Sequence, residues 1–133
     1  MGVRFLKIAV VYFLIGIAFG MFMSITHQFN HVASHAHITL LGWASLALAG
    51  LRYFFFPAAA ETKLATIHFW LHNIGLPIMM IGLIILESGN PAVEPVIAVG
   101  GTLTSIGVLF FVINVLVNVK SASAHFRGDT KSQ

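Results

Sequence analysis

The chain has 133 residues, of which 58% are hydrophobic and only 8% charged, with a mean hydropathy of +0.93. Soluble domains carry roughly 25% charged residues, so water could not solvate this surface, and the composition predicts an integral membrane protein built as one small bundle. The absence of cysteine excludes disulfides, thiolate metal sites, iron–sulfur clusters and c-type haem attachment. The net charge of +3 comes from Lys and Arg at segment ends, where they set topology, so no nucleic-acid partner is expected.

Four apolar segments follow one another: Phe5 to Ile25, Ile38 to Phe56, Leu64 to Leu86 and Val96 to Val119. Each approaches the ~20 residues a helix needs to cross a ~30 Å hydrocarbon core. A backbone in lipid must satisfy its own hydrogen bonds, which favours helices, and the alternation of barrel strands is missing. The connections His27–His37, Pro57–Lys63 and Glu87–Pro95 are short, so sequential helices are expected to be antiparallel neighbours. The predicted fold is all-α, an integral membrane four-helix up-down bundle over 1–120, with a polar cytoplasmic tail over 121–133.

Arg4 and Lys7 open the first segment, Arg52 and Lys63 flank the second connection, and Lys120, Arg127 and Lys131 follow the fourth segment. The first and third connections carry neither Lys nor Arg. The positive-inside rule therefore places both termini in the cytoplasm (N-in, C-in). The histidines of the first connection, with Glu87 and Glu94, then face outward, on the periplasmic side if the membrane is a bacterial inner membrane. The first segment is expected to be retained, being longer than a signal h-region and followed by the poor cleavage sequence Ala18-Phe19-Gly20. Leu6 stands where a myristoylation signal needs Ser or Thr.

Small residues four apart, Gly16 with Gly20 and Gly101 with Ser105, are positioned for close helix approach. Asn114 and Asn118 share a helix face and should point into the bundle or a subunit contact. Pro77 should kink the third helix beside His72.

Six of the seven histidines fall in two sets, His27, His31, His35 and His37, then His68 and His72. Imidazole is costly to bury in lipid unless something binds it. If the first helix extends beyond the membrane, His27, His31 and His35 form a stripe at i, i+4 and i+8, with His37 opposite at the start of the second helix. Imidazole serves haem iron, copper and zinc alike. His68 and His72 repeat the i, i+4 spacing on the third helix, and Trp43 and Trp70 are candidate walls of an apolar cofactor pocket. Such histidines also serve simply as hydrogen-bonding partners across helices. With 1.5 Å rise per residue, His72 lies roughly 20 Å below the outer end of its helix while His37 lies near the outer end of its own. The two should not share one iron, so His37 pairs more naturally with His27, His31, His35 or a neighbouring subunit. His125, in the tail, is expected to be solvated.

The run Ser34-His35-Ala36-His37-Ile38-Thr39-Leu40-Leu41-Gly42-Trp43 resembles the second helix of subunit I of haem-copper oxidases, closest to the branch of cbb3-type oxidases and nitric oxide reductases. The stretch His68-Phe69-Trp70-Leu71-His72-Asn73-Ile74-Gly75-Leu76-Pro77 is similar to that family's third helix. The resemblance implies a small stand-alone four-helix member in which His37 is an axial ligand of a b-type haem. The family's other haem and copper ligands lie on later helices that this chain lacks, so oxygen or nitric oxide reduction does not follow from the resemblance.

Three functions are thus open. The first is a b-type haem membrane protein for electron transfer or for binding or turnover of a diatomic gas, with a redox partner and a homo-oligomeric state expected. Any oxidoreductase activity would rest wholly on the cofactor, since no nucleophile, general-base pair or phosphate loop is present. The second is a copper- or zinc-binding membrane protein or assembly factor using His27, His31, His35 and His37, perhaps joined by Glu87 or Glu94. The third is an accessory subunit whose histidines make only polar contacts.

Overall fold

The computed structural model describes residues 1–119, so the tail, with His125 and the cations from Lys120 onward, lies outside the described residues. Four helices are long and apolar enough to cross a membrane: Gly2–Thr26, Phe29–Phe55, Lys63–Glu87 and Pro91–Asn118. No strand occurs among the described residues. Much of their apolar surface faces outward. Leu14 is 67% exposed and Leu116 76%, a surface that lipid covers at no cost and water would not.

Local chemistry sets the boundaries. The first helix stops at Thr26 because His27 turns left-handed, φ 53°, and Gln28 N–H closes back on Met23 carbonyl at 3.2 Å. The second helix starts at once. It opens with a 3₁₀ turn (Phe29–His31), runs as α-helix over Val32–His37, widens to π-helix over Ile38–Ser45 and finishes as α-helix over Leu46–Phe55. It therefore begins nine residues before Ile38, and the connection expected over His27–His37 shrinks to a turn at His27 and Gln28. Pro57 opens a short helix, Pro57–Ala60, inside the second connection. Thr62 then caps the third helix, its hydroxyl accepting Ala65 N–H at 3.1 Å. That helix continues through Pro77 to Glu87. The reversal that follows needs Gly89, whose φ of 101° is open to glycine alone at little cost.

The first helix packs along the second and the third along the fourth. Gly2 meets Gly50 and Phe54, Gly42 meets Tyr12, Gly16 meets Thr39 and Gly20 meets His35. Gly16 and Gly20 therefore do admit the second helix. On the fourth helix the close approach is made by Gly100, Thr104 and Gly107, which are buried against Gly75, Met79 and His72. Gly101 and Ser105, expected in that role, lie one residue round the helix and face a cavity instead.

Contacts between the two pairs are sparser and gather in an aromatic layer. Phe5 stacks on His68 with ring centroids 4.9 Å apart, and Tyr53 and Phe111 close round the same imidazole. Asn114, fully buried, donates to Ala59 carbonyl at 2.9 Å and reaches Tyr53 hydroxyl at 3.5 Å, while Asn118 donates to Asn114 at 2.8 Å. Because Asn114 supplies a donor to the Tyr53 oxygen, the Tyr53 proton is free to donate to His68 Nδ1 at 3.1 Å. Tyr53→Phe is expected to lower stability by about 1–3 kcal/mol, because it strands a buried acceptor and a buried donor. Thermal unfolding in mild detergent checks this, and an unchanged midpoint would show that the layer does not depend on the hydroxyl.

Candidate functional site

The six histidines of the described residues separate into four environments. His27 is exposed at the helix-ending turn. The stripe through His27, His31 and His35 does not form, because the left-handed residue at 27 ends the first helix and assigns His31 and His35 to the second. His31 and His35 face the first helix around Phe19, with ring centroids 5.8 and 6.4 Å from it. A Cβ placed on Gly20 would stand 3.0 Å from His35 Cε1, so glycine is what lets that ring lie down. His35 Nδ1 is buried without a partner.

His37, two residues further on, points the other way, since positions i and i+2 of a helix do not share a face. Its Nδ1 donates to its own Ala33 carbonyl at 2.8 Å. This bond fixes the neutral tautomer with the proton on Nδ1 and the lone pair on Nε2. The ring lines a cavity of about 390 Å³ with Leu41, Met79, Gly101, Thr104, Ser105 and Val108. That volume falls within the roughly 300–1,000 Å³ of small-molecule sites. The cavity sits between the second helix and the third and fourth, where the two pairs of helices touch least. His37 and His31 or His35 therefore cannot serve one metal within one chain, contrary to the pairing expected from their proximity in sequence.

His68 and His72 are core residues, 2% and 1% exposed. His72 Nε2 donates to Leu41 carbonyl at 3.1 Å, and its Nδ1 is buried without a partner. Leu41 belongs to the π-helical stretch, whose wider turns alter the ordinary i+4 ladder and often mark functional sites. Leu41 is one turn from His37, about 6 Å of rise, so His72 approaches the level of His37 more nearly than the expected boundaries allowed. The reason is that the second helix begins at Phe29, which moves His37 two turns inward. Proximity does not bring His72 into the cavity, because its ring is 1% exposed and is not among the residues that line it. His68 Nδ1 is held by Tyr53.

Neither tryptophan walls the cavity. Trp43 is turned to the first helix, 4.6 Å from the Phe13 ring, and Trp70 is 58% exposed beside Phe69. Position 43 is six residues from His37, about 120° away round the helix at 3.6 residues per turn, whereas Leu41 at i+4 shares its face.

At the end of the third helix, Glu87 closes that helix onto the start of the second. Its carboxylate accepts Ser34 N–H at 3.2 Å, the Ser34 hydroxyl, and His31 Nδ1 at 3.3 Å, and its side chain is 12% exposed. Asn30 donates to the Glu87 carbonyl at 3.2 Å. An acidic residue in the last turn is unfavourable to its own helix dipole and favourable at another helix's N-terminus, which is where Glu87 reaches. That misplaced charge was the one sequence signal of the lock. Ser34 carried none.

No family model, curated protein or solved structure matches this chain. Among the described residues, no three His, Asp or Glu side chains converge as a metal-binding group. An imidazole anchored through Nδ1 keeps Nε2 as the nitrogen that could bind a metal or a haem iron, and His37 combines that anchor with a place on the cavity wall.

Proposed function

We propose that the chain is a b-type haem-binding protein of a bacterial inner membrane, in which His37 Nε2 is the axial ligand this chain contributes. The observation that carries the reading is the Nδ1–Ala33 bond at 2.8 Å on a ring that lines the cavity. The resemblance of Ser34–Trp43 to the haem-ligating helix of haem-copper oxidases points the same way. Leu41, Met79 and Val108 would supply the apolar wall, and Gly101 leaves room that a side chain would take. Haem bound there would supply an iron able to carry one electron or to hold nitric oxide or oxygen. Among the described residues His37 is the one histidine that lines the cavity, and a haem held by that histidine alone would be suited to binding a gas. Electron transfer to a redox partner would follow if a second copy in a homo-oligomer supplies the other ligand.

The same proposal includes an up-down topology with both termini in the cytoplasm. It is supported by the run of contacts from Gly2–Gly50 to Gly20–His35, and by Lys and Arg confined to the termini and the second connection. Copper or zinc at the outer histidines has a smaller basis, since His31 is the only one of them bonded to an acidic side chain. The purified protein is expected to contain iron as protohaem and to show a Soret band. Stoichiometric copper or zinc without iron would replace this reading with the metal-site alternative.

A further inference from the structure

One peptide group joins His37 to Glu87. His37 Nδ1–H donates to the carbonyl of Ala33 at 2.8 Å, and the N–H on the other side of that same amide, Ser34 N–H, donates to Glu87 Oε1 at 3.2 Å. We propose that Glu87 acts on His37 through the Ala33–Ser34 peptide, making it a positioning residue that sets how strongly the imidazole donates electrons from Nε2.

An anion at the N–H of an amide polarises it and enriches its carbonyl oxygen. The carbonyl then draws harder on the Nδ1 proton, and the imidazole gains imidazolate character. Hydrogen-bonded chains polarise one another in this way where the surroundings are poorly solvated. Carboxylate–histidine pairs do the same work at metal sites directly, and here a peptide is interposed. The carboxylate is well placed to act: its side chain is 12% exposed and it accepts from Ser34 twice and from His31. His31, at 3.3 Å, is the titratable side chain recorded against it, and Asn30 bonds its backbone carbonyl. The assignment accounts for a feature that the lock alone leaves without purpose: Glu87 engages the one peptide whose carbonyl holds His37. His35 Nδ1, buried without a partner, lies outside this chain of bonds.

The proposal rests on His37 as the iron ligand, and its test separates the two. Glu87→Gln keeps an oxygen acceptor for Ser34 N–H and removes the charge. Ser34→Ala removes the hydroxyl donor and keeps the peptide N–H, so the carboxylate leans harder on that N–H. In haem-free protein, ¹⁵N NMR of the imidazoles reads the effect without any cofactor. Glu87→Gln is expected to move the His37 Nδ1 resonance toward a weaker hydrogen bond and to leave His35 nearly unmoved, while Ser34→Ala moves His37 the opposite way. In haem-loaded protein, Glu87→Gln is expected to favour the ferrous form about tenfold, a rise of about 59 mV in midpoint potential, and Ser34→Ala to lower it. Equal shifts at His35 and His37 would mean a diffuse field and overturn the peptide route. Unmoved His37 resonances would overturn the proposal whether or not haem binds. Absence of haem from the parent protein, with the His37 shifts present, would fail the haem reading and leave the coupling standing.

Discussion

His37→Ala is expected to emerge from purification folded and stripped of haem, with haem content below about a tenth of the parent, the loss typical of a weakened metal site at its lower bound. The fold should survive because His37 is only half-buried and its one hydrogen bond is to its own helix. His72→Ala is the necessary contrast. It breaks the bond to Leu41 and empties a buried position, so it should cost about 1–3 kcal/mol of stability or more. Haem content per folded chain should nevertheless stay near the parent's, because His72 is sealed in the core and does not line the cavity. Absorbance at the Soret band, normalised to monodisperse protein, checks both. Loss of haem in His72→Ala with retention in His37→Ala would reverse the assignment.

The second large effect concerns the seam of the third and fourth helices. A Cβ on Gly100 would overlap Met79 N and stand 2.7 Å from Gly75 carbonyl, both backbone atoms that no rotamer change can move. Gly100→Ala must therefore push the helices apart, at a cost of about 1–3 kcal/mol. The adjacent Gly101 meets only Met79 sulfur at 3.4 Å, an ordinary contact at the end of a flexible side chain. Gly101→Ala is expected to be near neutral for stability. Thermal unfolding of the two variants in the same detergent decides the matter, and equal midpoints would contradict the close backbone approach. Gly100→Ala should also weaken any cavity ligand, because Met79 and Thr104 line the cavity from the two helices being separated.

The four spans were legible because lipid imposes length and apolarity on every crossing helix, and those quantities are local. The end of the first helix was not. Nothing local forbids helix from Thr26 through His37, and a continuous stripe of His27, His31 and His35 is what periodicity suggests. The break comes from a left-handed residue at His27 and from a carboxylate 53 residues away that satisfies the first turn of the next helix. Both are tertiary outcomes. The same shift carried His37 inward and turned it from His31 and His35 toward Met79 and Val108. His68 and His72 show the other limit of a sequence reading. Their i, i+4 spacing is as compatible with ligation as with packing, and only Tyr53 and Leu41 decide which nitrogen is engaged. Asn114 was readable, since a buried amide on a lipid-crossing helix has to find a partner inside the bundle.

The most direct test is the absorption spectrum of the purified protein, oxidised and dithionite-reduced, before and after carbon monoxide. The expected result is a b-type haem spectrum whose reduced Soret band shifts on addition of carbon monoxide. A colourless protein that takes up no added haemin would contradict His37 as an iron ligand.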